Sequence, residues 1–172
     1  MRRHVDIGDA LDIRRLINRR EQPAALEVVG DDLCDAGGNF AVATPDSAAT
    51  QAALRQCELT VHVATKLNRS HLVHGTEALI LPCLGRTEID VQQGGPQAIS
   101  VEDSMSMVHL SSGINAPASP HLLSEPMIVA RLAEATLKTS KTPWQWLVAD
   151  YDRIRDKIAA VFEDFADFNT RE

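Results

Sequence analysis

The sequence predicts an α/β fold, a mostly parallel sheet in a three-layer arrangement, and three observations carry that expectation. The run LTVHVAT at 59–65 alternates and is rich in β-branched side chains, the pattern of a strand. The run ALILPCL at 78–84 is short and continuously apolar, which fits a strand covered on both faces. Helix-like runs flank the pair, SAATQAALRQC before it and EPMIVARLAEATL after it, and strands alternating with helices favour parallel pairing.

Taken in order, the elements begin with a short amphipathic helix over 9–20, where Leu11, Ile13, Leu16 and Ile17 fall near helical spacing and Asp9 can cap the start. From Glu21 to Asp35 the signals are mixed: Leu26, Val28 and Val29 suggest a small strand that Gly30 and two aspartates interrupt. Gly37, Gly38 and Asn39 form a turn of high backbone freedom. Thr44 is placed to cap the next helix with Pro45 at its first position, where a missing N–H costs nothing. After the two strands, residues 92–120 are rich in Gly, Pro, Ser and Asn and read as a long loop with one extended piece around Met107–Leu110. Met105 and Met107 are read there as packing residues. Ser124 then caps a helix whose stripe is Ile128, Leu132, Ala135 and Thr136. Leu147, Ile154, Ile158, Val161, Phe162 and Phe165 predict one long amphipathic C-terminal helix over 143–168, bent near Asp150.

Composition narrows the function classes. A chain of 172 residues, 44% apolar, is long enough for one buried core. Its 24 acidic and 17 basic residues leave a net charge of −7 without long runs of either sign, which argues against a nucleic-acid partner. Cys34, Cys57 and Cys83 follow no CxxC spacing, so neither a disulfide framework nor a zinc knuckle is indicated. The charged start MRRHVDIGDALDIRR does not resemble a signal peptide and no apolar stretch is of spanning length, so we expect a cytoplasmic protein without membrane contact.

The chemically suggestive segment follows the first predicted strand: Thr65, Lys66, Leu67, Asn68, Arg69, Ser70 and His71. In parallel α/β sheets, ligands sit beyond the carboxyl ends of the strands. Lys66 and Arg69 suit a phosphate there, and Asn68, Ser70 and His71 can hydrogen-bond one; the competing reading is an ordinary polar loop. The second strand delivers Arg86, Glu88 and Asp90 in the same way, and a local ion pair explains them equally well. His71, His74 and Cys83 match zinc by residue type alone, and Cys83 reads better as a small buried residue. GxSxG, P-loop and complete GxGxxG signatures are absent.

Four blocks, GGNFAVATPD, TVHVATKLNRSHLVHGTEALILPCLGRTEID, QGGPQAISVEDSMSMVHLSSG and ASPHLLSEPMIVARLAEATL, resemble the formate-dehydrogenase alpha-subunit-like molybdopterin oxidoreductases of the YdeP type. The resemblance covers 37–137, with 1–36 less recognisable and 138–172 a helical extension. It implies a bis(molybdopterin guanine dinucleotide) cofactor lying between two α/β domains, this block being similar to the third of four. It also implies that Asn39, Thr65, Lys66, Asn68, Arg69 and His71 lie toward that cofactor, and it extends to Gly38, Arg86, Glu88 and Asp90.

Two departures qualify what the resemblance implies. The family leads into GGN with a hydrophobic strand, whereas GDDLCDA has little strand character. The family's large N-terminal part, with other cofactor contacts, the metal's protein ligand and in many relatives an iron–sulfur cluster, has no counterpart here. We therefore expect a detached piece or truncated product of such an oxidoreductase with an incomplete active site, its partner being either the missing domains on another chain or a second copy of itself. The alternative is a non-catalytic interaction module or remnant that self-associates through a former domain interface.

Overall fold

The computed structural model describes residues 32–36 and 40–170. The expected helix over 9–20, the strand near 26–29 and the turn with Gly38 and Asn39 lie outside them. Among the described residues the chain is mixed α/β, with three small sheets, and forms two compact units divided between Cys83 and Leu84.

The unit before that division is built on a three-stranded parallel sheet, order β1-β2-β3, with β1 at Asp32–Ala36, β2 at Leu59–Ala64 and β3 at Glu77–Pro82. β1 corrects the reading of GDDLCDA: it pairs with β2 from Asp32↔Leu59 to Ala36↔Val63, because the ladder is made by backbone groups that low strand propensity does not remove. A short α1 at Phe40–Ala43 and α2 at Ser47–Leu54 connect β1 to β2. The cap of α2 is Asp46, not Thr44: its carboxylate accepts the Ala49 amide at 2.9 Å, while the Thr44 hydroxyl pairs with that of Thr50 at 2.8 Å. Ala41, Leu54 and Val73 pack together, and burying Leu54 stabilises the unit by roughly 1.5–3 kcal/mol.

The burial of β2 and β3 reverses the hydropathy reading. β2 lies centrally and buries Thr60, His62 and Val63, whereas apolar β3 lies at the edge of the described sheet with Ile80 44% exposed. Between them the chain passes close to the backbone at Cys57, and only a glycine fits: a Cβ on Gly75 would stand 2.3 Å from the Cys57 carbonyl oxygen.

The unit after the division places two antiparallel ribbons where the composition suggested a long loop. β4 at Val91–Gln92 pairs with β5 at Gly95–Pro96, and β6 at Ile99–Glu102 pairs with β7 at Val108–Ser111. The extended piece expected around Met107–Leu110 is β7, while the other strands are too short for periodicity to reveal. Met105 and Met107 are 79% and 58% exposed rather than packed, because they sit in the β6–β7 turn whose amides the Asp103 carboxylate accepts at 2.8 and 3.1 Å.

α3 at Glu125–Thr136 forms where the apolar stripe placed it, with Pro126 in its first turn, but the Ser124 side chain makes no capping bond. The expected long C-terminal helix is two short ones, α4 at Trp144–Val148 and α5 at Asp152–Ala159, followed by single 3-10 turns at Glu163–Phe165 and Phe168–Thr170. The break near Asp150 has a cause in the β4–β5 ribbon. Gly94 donates its amide to the Ala149 carbonyl at 2.8 Å, and the Gln97 side chain accepts the Tyr151 amide at 2.7 Å, so two backbone groups at the break find partners outside the helix. Ala130, Val148 and Tyr151 form the core of this unit, with Ile99, Met127, Trp144 and Ile154 against it. No helix among the described residues is long and apolar enough to cross a membrane.

Candidate functional site

The segment at the carboxyl end of β2 is a loop that holds its own shape. Asn68 opens a 3-10 turn at Arg69–Leu72 with a capping box: its side-chain oxygen accepts the Ser70 amide at 2.8 Å, and its amide donates to His71 Nδ1 at 3.0 Å. Those bonds turn the Asn68 and His71 side chains toward the loop backbone. His71 Nδ1 also lies 3.2 Å from the Asn68 carbonyl oxygen, and its other ring nitrogen is Nε2. That atom and Ser70 Oγ are buried without a hydrogen-bond partner among the described residues, and the His71 ring lies 5.0 Å from buried His62.

Thr65, Lys66, Leu67 and Arg69 are exposed around this rigid turn. Neither Lys66 nor Arg69 has an ion-pair partner among the described residues. The structure thus brings Thr65, Lys66, Asn68, Arg69 and His71 into one short stretch: two free cations, beyond the carboxyl end of a parallel strand, on a turn braced by two of the five. Cys83 is buried, and no group of three or more His, Cys, Asp or Glu side chains among the described residues is placed to hold a metal.

Arg86, Glu88 and Asp90 lie in the other unit and line a cavity of about 240 Å3 there. They do not form the local ion pair that their spacing suggested. Glu88 accepts the Gly85 amide at 2.6 Å and the Ala118 amide at 2.7 Å; these two backbone donors, Gly85's first, hold its carboxyl below the usual range. The strap 113–118 lies tight against it, since a Cβ on Gly113 would stand 2.0 Å from the Glu88 carbonyl oxygen. Asp90 is 7% exposed and accepts from Tyr151 Oη at 2.5 Å and Gln92 Nε2 at 2.5 Å. Tyr151 Oη in turn pairs with Ser124 Oγ at 2.7 Å, which is where the expected capping hydroxyl goes. Burial, and next the bond to Asp90, push the Tyr151 phenol well above its ordinary range.

Sequence reasoning missed Tyr151, Ser124 and Gln97 as members of this network. One signal was available: Tyr151 stands at the break in the C-terminal helical pattern, and a buried tyrosine hydroxyl needs a polar partner.

No protein-family profile matches the chain, and no solved structure matches it. The chain is 56% identical over 135 residues to the protein named YdeP of Escherichia coli, a match that covers 78% of this chain and 18% of that protein. It is 58% identical over 134 residues to an uncharacterized oxidoreductase of Mycobacterium tuberculosis, covering 77% of this chain and 17% of the relative. The chain therefore spans less than a fifth of the length of the curated relatives it matches, and at least one of those relatives bears the name oxidoreductase.

Proposed function

We propose that this chain is part of a formate-dehydrogenase-like molybdopterin oxidoreductase, in which residues 37–137 supply a portion of the cradle for a bis(molybdopterin guanine dinucleotide) cofactor. The observation that carries the reading is the pair Lys66 and Arg69, without ion-pair partners among the described residues, on a braced turn beyond β2. Their chemistry fits a dinucleotide's phosphates: a planar guanidinium can grip two oxygens and an ammonium adds a compact charge. The oxidoreductase name of a close relative supports the class of reaction.

In that reading Lys66 and Arg69 hold phosphate, while Asn68 and His71 keep the turn in shape and Thr65 offers a hydroxyl beside it. When bound, the cofactor's metal and pterin supply two-electron exchange with a small substrate such as formate; the protein supplies binding and electrostatics. Calorimetric titration of the folded chain with GDP, standing for the nucleotide half of the cofactor, tests the reading. Saturable binding that weakens at least tenfold in Lys66→Ala/Arg69→Ala supports it, and a folded chain that binds no GDP overturns it.

A second reading, an interaction module, is favoured by apolar side chains in the same unit that meet no core: Leu67 and Leu72 are 74% and 78% exposed. It predicts oligomers that grow with concentration in sizing experiments, and a monomer at high concentration counts against it.

A further inference from the structure

The cavity of about 240 Å3 in the unit after Cys83 has a charge pattern that the cofactor reading does not use. Three carboxylates and one guanidinium line it, yet only two of these four groups are available to a ligand. Both Glu88 oxygens accept backbone amides, and both Asp90 oxygens accept side-chain donors. Arg86 and Glu125 are left. They have opposite charge and line the same cavity, and among the described residues neither has an ion-pair partner, each other included. Opposite charges that line one cavity without pairing with each other are satisfied together by a ligand with a negative and a positive end. Leu84, Ile99 and Val101 give the same cavity an apolar wall, and Ser124, fixed by Tyr151, gives it a positioned hydroxyl.

We propose that this cavity binds a small zwitterion of the α-amino acid class with an apolar side chain. Arg86 takes the carboxylate, Glu125 takes the ammonium and the wall of Leu84, Ile99 and Val101 covers the side chain. Arg86 offers the planar fork that matches a carboxylate, and Glu125 accepts from an ammonium at any of its three hydrogens. The Asp90–Tyr151–Ser124 network serves as a rigid floor, not as a source of charge.

The test is calorimetric titration of the full chain with L-valine and with its two half-molecules, isobutylamine, which lacks the carboxylate, and isovalerate, which lacks the amine. Valine binds saturably and each half-molecule binds at least tenfold more weakly. Arg86→Gln brings valine down to the affinity of isobutylamine, and Glu125→Gln brings it down to that of isovalerate. Arg86 is exposed and Glu125 half-buried, and neither has an ion-pair partner among the described residues, so unchanged unfolding midpoints confirm that the variants are folded. Absence of valine binding by the wild-type chain, equal binding of valine and its halves, or indifference of valine affinity to both substitutions would overturn the assignment. GDP affinity is expected to remain unchanged in Glu125→Gln, which separates this site from the one at Lys66 and Arg69.

Discussion

Two polar segments follow adjacent parallel strands in this chain, and they do opposite things with their charge. After β2, Asn68 and His71 direct their side chains at the loop backbone and, among the described residues, Lys66 and Arg69 have no ion-pair partner. After β3, the residues of 84–90 direct their carboxylates inward: Glu88 is held by two amides and Asp90 by Tyr151 and Gln92. In sequence the segments look alike, a mixture of charged and small polar residues at a strand end. The difference is set by what packs against each. A short turn has only its own backbone to satisfy, whereas the second segment is covered by the 113–118 strap and by the Tyr151 bend, which bring one donor each, the Ala118 amide to Glu88 and the Tyr151 hydroxyl to Asp90, beside the local donors Gly85 and Gln92.

If that contrast is right, the largest effect comes from cutting the buried network of the second segment. Tyr151→Phe removes the bonds to Asp90 and Ser124 and leaves a nearly buried carboxylate with one donor, so urea unfolding should show a loss of about 2–3 kcal/mol. The same tyrosine sets an alkaline limit. Its folded pKa is raised, so its contribution is complete below the ordinary value of 10.0 and declines as pH rises above it. Unfolding midpoints measured across that range should fall for the wild-type chain beyond any fall seen in Tyr151→Phe.

A comparable loss, roughly 1–3 kcal/mol, is expected for Gly113→Ala, because the new methyl group collides with the Glu88 backbone and the strap must move. In the first segment, Asn68→Ala should cost about 1 kcal/mol through the lost cap and should also weaken GDP binding, although Asn68 itself need not touch the nucleotide. The smallest effect belongs to Glu88. Its folded pKa is lowered, so the contribution is present above the ordinary value of 4.5 and is lost as pH falls through the folded value. Glu88→Gln should therefore lower stability slightly at neutral pH and flatten the acid side of the profile, where the wild type loses that same contribution.

How much of this was legible in the sequence depended on the range of the interactions involved. The helix at Glu125–Thr136 and the strand at Leu59–Ala64 were readable because stripe and alternation are local patterns. The burial of the two strands was not, because position in the sheet decides it: His62 is covered in the centre while Ile80 is exposed at the edge of the described strands. The long C-terminal helix failed for a similar reason, since Gln97 and Gly94, more than fifty residues earlier, satisfy the backbone at its break. The cations Lys66 and Arg69 could be picked out from a strand-end argument alone. The fate of Ser124, whose hydroxyl pairs with a tyrosine 27 residues away, could not.

The division of labour between the two segments is tested most directly by titrating GDP into three folded proteins side by side: wild type, Lys66→Ala/Arg69→Ala and Glu88→Gln. Affinity at least tenfold lower in the double variant, with Glu88→Gln equal to wild type, is the predicted result; equal affinity in all three, or a loss confined to Glu88→Gln, would contradict it.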